Sequence, residues 1–319
     1  MSVVSLSAGI FLALLGTDGF SVWVGMELNM MGFLPLIVLC DIKGAEASLK
    51  YLLVQFTGSF LFLASFWASG SFAFASMLML MSLSVKAGCA PFHFWVPEVS
   101  EAMAWGTLYF LLMAQKVVPL GIMESIFSES LSYLVLLLAS ASMVFGVVSG
   151  AGETKTKKIL GFSSIGHLGW VLVAILLEEG LWLKYFICYC FLVAGAIFCL
   201  SSLNQESIKM PFKKSATKAF LLVVSLLSLG GVPPFWGFVP KLFVILKMAG
   251  SGLVWLSLFF AGVSAFTIFY YLRMGLTGIS ASQFLLNAQE EGGMAGMVWG
   301  VAYNFLGMLG VISVMSLPL

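Results

Sequence analysis

Apolar runs of the length that crosses a bilayer recur from one end of this chain to the other, and no other feature limits its fold so strictly. A helix needs about 20 predominantly apolar residues to span the hydrocarbon. Inside the bilayer the backbone must satisfy its own hydrogen bonds, which leaves helices or closed barrels. Suitable runs lie near 2–16, 20–40, 48–68, 71–97, 105–123, 130–150, 157–177, 181–202, 219–249, 253–275 and 294–317. They predict an all-α polytopic membrane protein of about eleven transmembrane helices, forming a single transmembrane domain over 1–319. Composition agrees: 61% of the residues are hydrophobic and 9% charged, against about 25% charged in soluble domains. A net charge of +1 offers no basic surface for nucleic acid. The five cysteines lie in or beside apolar runs without a CxxC pair, so neither a metal site nor a disulfide framework is expected. The first residues carry no basic n-region, cleavage motif or Arg-rich transit peptide, so an organellar copy is expected to be made in the organelle.

Two runs are too long, and both contain helix breakers. The run 71–97 holds Gly88 and Pro91, and 219–249 holds LGGVPPFWGFVPK at 229–241. Neither half of 219–249 is long enough to cross alone at 1.5 Å per residue, so it reads as one broken helix. The loop lysines set the sidedness. Lys43, Lys50, Lys155, Lys157, Lys158, Lys209, Lys213, Lys214 and Lys218 fall on one face, and through the first eight loops only Lys184 falls on the other. The basic face is expected inside, which places the N-terminus there and the C-terminus outside.

Three basic residues are not explained by loops: Lys86, Lys116 and Lys241. Among acids, Glu27 stands out in WVGMELNMMG at 23–32. Each such group costs about 2.5–3.5 kcal/mol on insertion scales, so it normally faces a bundle interior and acts on ions or protons. The plainer alternatives are a structural ion pair or a snorkelling lysine. Lys86 and Lys241 each accompany a Gly/Pro interruption, in the fourth and ninth spans. Five spans apart, the two run in opposite directions, as in an inverted repeat of two five-helix halves. The approximate halves are 1–125 and 126–275, with a C-terminal helix at 294–317. Their local sequences echo each other, APFHFWVP against PPFWGFVP. Lysine suits proton exchange because desolvation lowers its pKa, to about 5–6 in documented buried cases, and arginine cannot follow. The sole arginine, Arg273, is not deep.

His93, two residues after Pro91, reads best as a partner for a freed carbonyl. His167, in GFSSIGHLGW at 161–170, is at mid-span with Ser163 and Ser164 within a turn. It suits a proton relay or polar glue between helices equally. Glu98, Glu101, Glu178, Glu179, Glu290 and Glu291 read as solvated carboxylates at span ends. GGMAG at 292–296 lacks any phosphate-loop context.

Together, GMELNMMGFLPLI (25–37), VKAGCAPFHFWVPEV (85–99), AQKVVPLGIM (114–123), KKILGFSSIGHLGWVL (157–172) and LSLGGVPPFWGFVPKLFVI (227–245) resemble one family. It is the chain 2 family of mitochondrial NADH:ubiquinone oxidoreductase, respiratory complex I, in the eleven-helix animal form of the antiporter-like subunits. The stretch VSEAMAWG (99–106) is less polar than in many members. The resemblance implies a proton-translocating membrane-arm subunit that couples NADH:ubiquinone electron transfer to pumping, with no redox centre of its own. It assigns the channel glutamate to Glu27, the broken-helix lysine to Lys86, the bridging lysine to Lys116 and the distal lysine to Lys241. Lys86, Lys116, His167 and Lys241 are expected to form one polar row parallel to the membrane, linked by waters or hydroxyls. It further implies no cofactor on this chain, leaving membrane phospholipids such as cardiolipin as ligands. Its implied partners are chain 4 on one flank, chains 3, 4L and 6 on the other, and accessory subunits. Its implied site is the mitochondrial inner membrane, with the N-terminus in the matrix and the C-terminus in the intermembrane space.

Two rival readings share these features. A stand-alone sodium/proton antiporter would also have broken helices and deep lysines, but the sequence holds no deep Asp or Asn pair suited to sodium. A non-pumping structural subunit predicts a dry interior around Lys86 and Lys116.

Overall fold

The computed structural model describes residues 2–39, 42–68, 72–203, 205–208 and 216–282. Among these the named elements are all helical, with one isolated bridge between Lys155 and Ser207. In chain order they are α1 (Ser2–Leu15), α2 (Gly19–Val38), α3 (Ile42–Trp67), α4 (Phe72–Ala87), α5 (Trp95–Ala102), α6 (Trp105–Leu112), α7 (Ala114–Ile126), α8 (Ser132–Gly152), α9 (Thr156–Leu177), α10 (Leu181–Leu203), α11 (Ala216–Gly230), α12 (Phe238–Gly250) and α13 (Val254–Ser282). These account for the first ten expected spans. The expected helix at 294–317 lies outside the described residues, as do Glu290, Glu291 and the GGMAG stretch. By internal packing the chain divides into Met1–Ser142 and Met143–Leu319.

Both expected interruptions are present, and they are the same turn. α4 stops at Ala87 and α11 at Gly230. The next residues, Gly88 and Gly231, each have φ +76°, a left-handed conformation that glycine adopts without strain. The N–H groups of Gly88 and Cys89 return to Val85 O and Ser84 O at 3.2 and 3.0 Å. Those of Gly231 and Val232 return to Ser228 O and Leu227 O at 3.1 and 3.2 Å. This paired closure, the Schellman motif, satisfies the last carbonyls of a helix. A Pro-Phe pair follows at the same distance in both, Pro91-Phe92 and Pro234-Phe235, and the chain re-enters helix at Trp95 and Phe238. The lysines are not equivalent within this repeat. Lys86 precedes its turn, whereas Lys241 follows its own, at the position that Glu98 holds in the first copy.

A third interruption was not expected. The fifth span divides at Met113, whose φ −110° and ψ −73° separate α6 from α7. Pro119 sits inside α7 and has no N–H to return to Gln115, two residues beyond the split. Lys116 therefore lies within the first turn of a restarted helix, its N–H bonding Met113 O at 3.0 Å.

Small residues bring helices into backbone contact, as membrane helices require without a hydrophobic drive to associate. A Cβ on Gly25 of α2 would fall 2.4 Å from Ala13 N of α1. Gly25→Val is therefore expected to lower the thermal midpoint of the detergent-solubilised protein, overpacking of this kind costing about 1–3 kcal/mol. Gly106→Val, with nothing within 4 Å, is the matched control and should leave it unchanged. In the second unit α9 is enclosed on all sides, with 94% of its spanning window buried.

The ends of the second unit's helices agree with 219–249 crossing once. Lys247, at the end of α12, pairs with Glu178, at the end of α9. Arg273 of α13 donates to Glu153 O, just before α9, at 2.7 Å. Residues 205–208, after α10, also meet this second end: Thr156 N–H bonds Glu206 O at 3.1 Å. A pair of full crossings in 219–249 would have put Lys247 and Glu178 at opposite ends of the bundle.

Candidate functional site

Lys86, Lys116 and Lys241 are 4%, 3% and 5% exposed, and His167 is 7% exposed. All four sit in helices or helix ends that are otherwise apolar, so their burial is not an accident of loops. Each unit holds its own group.

In the first unit, Lys86 lies in the last turn of α4, where a cation complements the negative end of the helix. Gly58 of α3 makes room for it: a Cβ there would meet Lys86 Cγ at 2.7 Å. The carbonyls freed by the break are bonded by side chains, Gln55 Nε2 to Lys86 O and Trp95 Nε1 to Val85 O, both at 3.2 Å. Glu27 of α2 acts on Lys86 and on Tyr51 electrostatically. Among the described residues it forms no ion pair with Lys86, and its Oε1 is buried without a hydrogen bond. A carboxylate so placed influences the lysine without holding it.

Beside Lys86 is a small cavity of about 10 Å³, lined with polar groups from Asn29, Tyr51, Gln55, Lys86 and Gln115. That is the scale of one water in a polar site. The Asn29 and Gln115 amides exchange two hydrogen bonds of 3.2 Å, and Tyr51 Oη donates to Gln115 Oε1 at 2.9 Å. Lys116, next to Gln115 on α7, acts electrostatically on Cys89 in the turn after α4. Sequence reading missed Asn29, Tyr51, Gln55 and Gln115. The available signal was polar residues at four-residue spacing, Tyr51, Gln55 and Ser59, which share one face of α3.

In the second unit, Lys241 enters from α12 and donates to Gly230 O, the last residue of α11, at 2.6 Å. Here too glycine makes room, since a Cβ on Gly231 would sit 2.9 Å from Lys241 Nζ. The serines one turn from His167 donate to their own helix. Ser163 and Ser164 donate to Leu160 O and Gly161 O, at 2.8 and 2.6 Å. His167 Nδ1 meets Tyr185 Oη at 2.9 Å, and its ring lies 4.5 Å from that of Tyr189. His93 is buried in the first turn, its ring stacked on Phe94 and its polar contact the Pro91 backbone. Glu98 is half-exposed and pairs with Lys50 at 2.8 Å. Among the described residues no cluster of three or more His, Cys, Asp or Glu side chains is placed to hold a metal ion.

Residues 64–267 match the family model described as NADH:quinone oxidoreductase/Mrp antiporter, TM. NADH-ubiquinone oxidoreductase chain 2 of Anopheles gambiae is 31% identical over 325 residues, covering 98% of this chain and 91% of that one. The chain of the same name from Bos taurus is 30% identical, covering 85% and 83%. Among solved structures, a chain of respiratory complex I from Thermus thermophilus with bound aureothin superposes with a TM-score of 0.81. It is 24% identical and covers 97% of this chain and 77% of that chain. A chain of the Mrp complex from Dietzia sp. DQ12-45-1b superposes at 0.80, with 20% identity and 98% and 73% coverage.

Proposed function

The chain belongs to the NADH:quinone oxidoreductase/Mrp antiporter family, within it to the chain 2 group of NADH-ubiquinone oxidoreductase, and on that premise we propose how it works. It is a multi-pass subunit of the mitochondrial inner membrane that translocates protons as part of respiratory complex I. Its own residues carry the protons, while electrons pass through other chains. The relay consists of Glu27, Lys86, Lys116, His167 and Lys241. The N-terminus faces the matrix and the C-terminus the intermembrane space. Chain 4 adjoins one flank and chains 3, 4L and 6 the other, with accessory subunits and phospholipids such as cardiolipin around them.

The observation that carries this reading is the relation of Lys86 to its surroundings. The lysine is buried beside a polar cavity the size of a water, and Glu27 acts on it without an ion pair. A structural lysine would be expected in a closed salt bridge, since a buried ion is stable only when paired and hydrogen-bonded. A scaffold would leave the space around it dry. Lys86 instead has a carboxylate that acts on it without an ion pair, and beside it a polar cavity with room for one water. Glu27→Gln tests this. It keeps the side chain's shape and removes the anion that acts on Lys86. Proton translocation by the assembled complex in vesicles is expected to fall about fivefold or more, the lower end of coupling energies of ~1–3 kcal/mol. Unchanged translocation would remove Glu27 from the mechanism. Sodium-dependent exchange by the isolated chain in liposomes would instead favour a stand-alone antiporter.

A further inference from the structure

Around His167 the second unit buries four tyrosines. Tyr185 and Tyr189 come from α10, Tyr270 and Tyr271 from α13, and each is 2% exposed or less. Phenylalanine would fill the same volume in a membrane protein without bringing a hydroxyl that needs a partner. The positions were unremarked in the sequence because tyrosine in an apolar helix looks like packing. Tyr185 Oη is satisfied by His167 Nδ1 at 2.9 Å. Tyr189 and Tyr271 are not satisfied: both Oη atoms are buried without a hydrogen bond. They are near polar groups all the same. Tyr189 lies beside Ser164, and Tyr271 beside Ser163 and Tyr270, whose ring is 4.5 Å away, without a hydrogen bond of good geometry to any of them. Both serine hydroxyls donate to backbone carbonyls of α9.

Two orphaned hydroxyls facing a common helix each cost about 1–3 kcal/mol. A bound water is the ordinary remedy, and it needs two to four polar partners, which Tyr189, Tyr271 and the α9 hydroxyls supply. The cluster also leads somewhere. Tyr271 packs against Gly230, where a Cβ would lie 3.5 Å from its Cδ2. Gly230 is the residue whose carbonyl receives the Lys241 ammonium. The cluster thus begins at one deep titratable group and ends beside another.

We infer that Tyr185, Tyr189 and Tyr271 form, with the hydroxyls of Ser163 and Ser164, a buried water-binding site that passes protons between His167 and Lys241. This deepens the proposed function and rests on it. In the transfer each phenol or water oxygen accepts one proton and releases its own on the far side. Each hydroxyl ends with as many protons as it began with, and only His167 and Lys241 change charge. No phenolate is formed.

The test uses the assembled complex in sealed vesicles, with Tyr189→Phe and Tyr271→Phe singly and together. Phenylalanine preserves ring packing and removes only the hydroxyl. The double variant is expected to assemble to the normal level and keep its thermal midpoint. Its proton translocation should fall on the order of tenfold, below the ~10²–10⁴ of a lost general acid or base because water can span part of the gap. The residual rate should slow further in heavy water than that of the unmodified complex. Unchanged translocation in the double variant overturns the inference. So does a fall matched by an equal loss of assembled complex, which would make the hydroxyls structural. If the double variant does not assemble, Tyr271→Phe alone is decided by the same readout. Lys241→Met, measured beside it, separates the two levels. If that variant loses translocation while the tyrosine variants keep it, only the water site falls. If Lys241→Met also leaves translocation intact, the proposed relay through the second unit falls with it.

Discussion

Lys86→Met is expected to abolish proton translocation by the assembled complex, by at least the ~10² lower bound for removing a proton-transfer group. The same change should leave assembly intact and the thermal midpoint equal or higher. Methionine has a similar length and no charge, and it removes an insertion cost of about 2.5–3.5 kcal/mol. Replacing buried charge with apolar side chains is commonly neutral or stabilising. The loss of function and the gain in stability must therefore part company if the lysine is there for protons. Lys86→Arg is expected not to rescue. Arginine keeps the charge but cannot release its proton. It also has no space, since Gly58 already lies against the Lys86 stem. Proton uptake by vesicles and thermal unfolding of the purified complex are the two measurements. A variant that pumps normally would make Lys86 a structural charge.

Lys241→Met is expected to lower translocation by about tenfold to a hundredfold, within reach of the same class of loss. Any gain in stability should be smaller than that at Lys86. Lys241 Nζ bonds Gly230 O at 2.6 Å, so methionine leaves the end of α11 with an unsatisfied carbonyl. That costs about 1–3 kcal/mol, against which the relief of a desolvated ammonium works. Lys241→Gln separates the two roles. Glutamine can still donate to Gly230 O but cannot shuttle a proton near neutral pH. Equal loss of translocation in both variants assigns the lysine a protonic role. Recovery in the glutamine variant would mean that Lys241 serves to close the helix end.

Much of this could be read from residues in order. Bilayer thickness and the need to satisfy the backbone turn run lengths into spans, so the first ten helices were legible. The two principal breaks were legible because Gly88 and Gly231 open the left-handed backbone region, and Pro91 and Pro234 remove a helical N–H. Lys86, Lys116 and Lys241 stood out because charge at depth is costly wherever it occurs. The split at Met113 was missed for a different reason. Met113 has no sequence signature of a break, and Pro119, six residues on, is tolerated early in many helices. Asn29, Tyr51, Gln55 and Gln115 were missed because a neutral polar residue in a span is cheap when paired, and pairing depends on which helices touch.

The sequence by itself determined the number of described spans, the two Gly/Pro interruptions and which charges are deep. These follow from interactions between a residue and the bilayer, or between residues a few positions apart. Only the tertiary structure decided who meets whom. It set Glu27 near Lys86 without an ion pair, brought His167 to Tyr185, and closed α11 with Lys241. It also left Tyr189 and Tyr271 with buried, unbonded hydroxyls. Those outcomes depend on helix rotation and on glycines such as Gly58 and Gly231 that admit a lysine stem. One residue's turn about a helix axis moves a side chain by about 100°, and no local pattern in a uniformly apolar span fixes that angle.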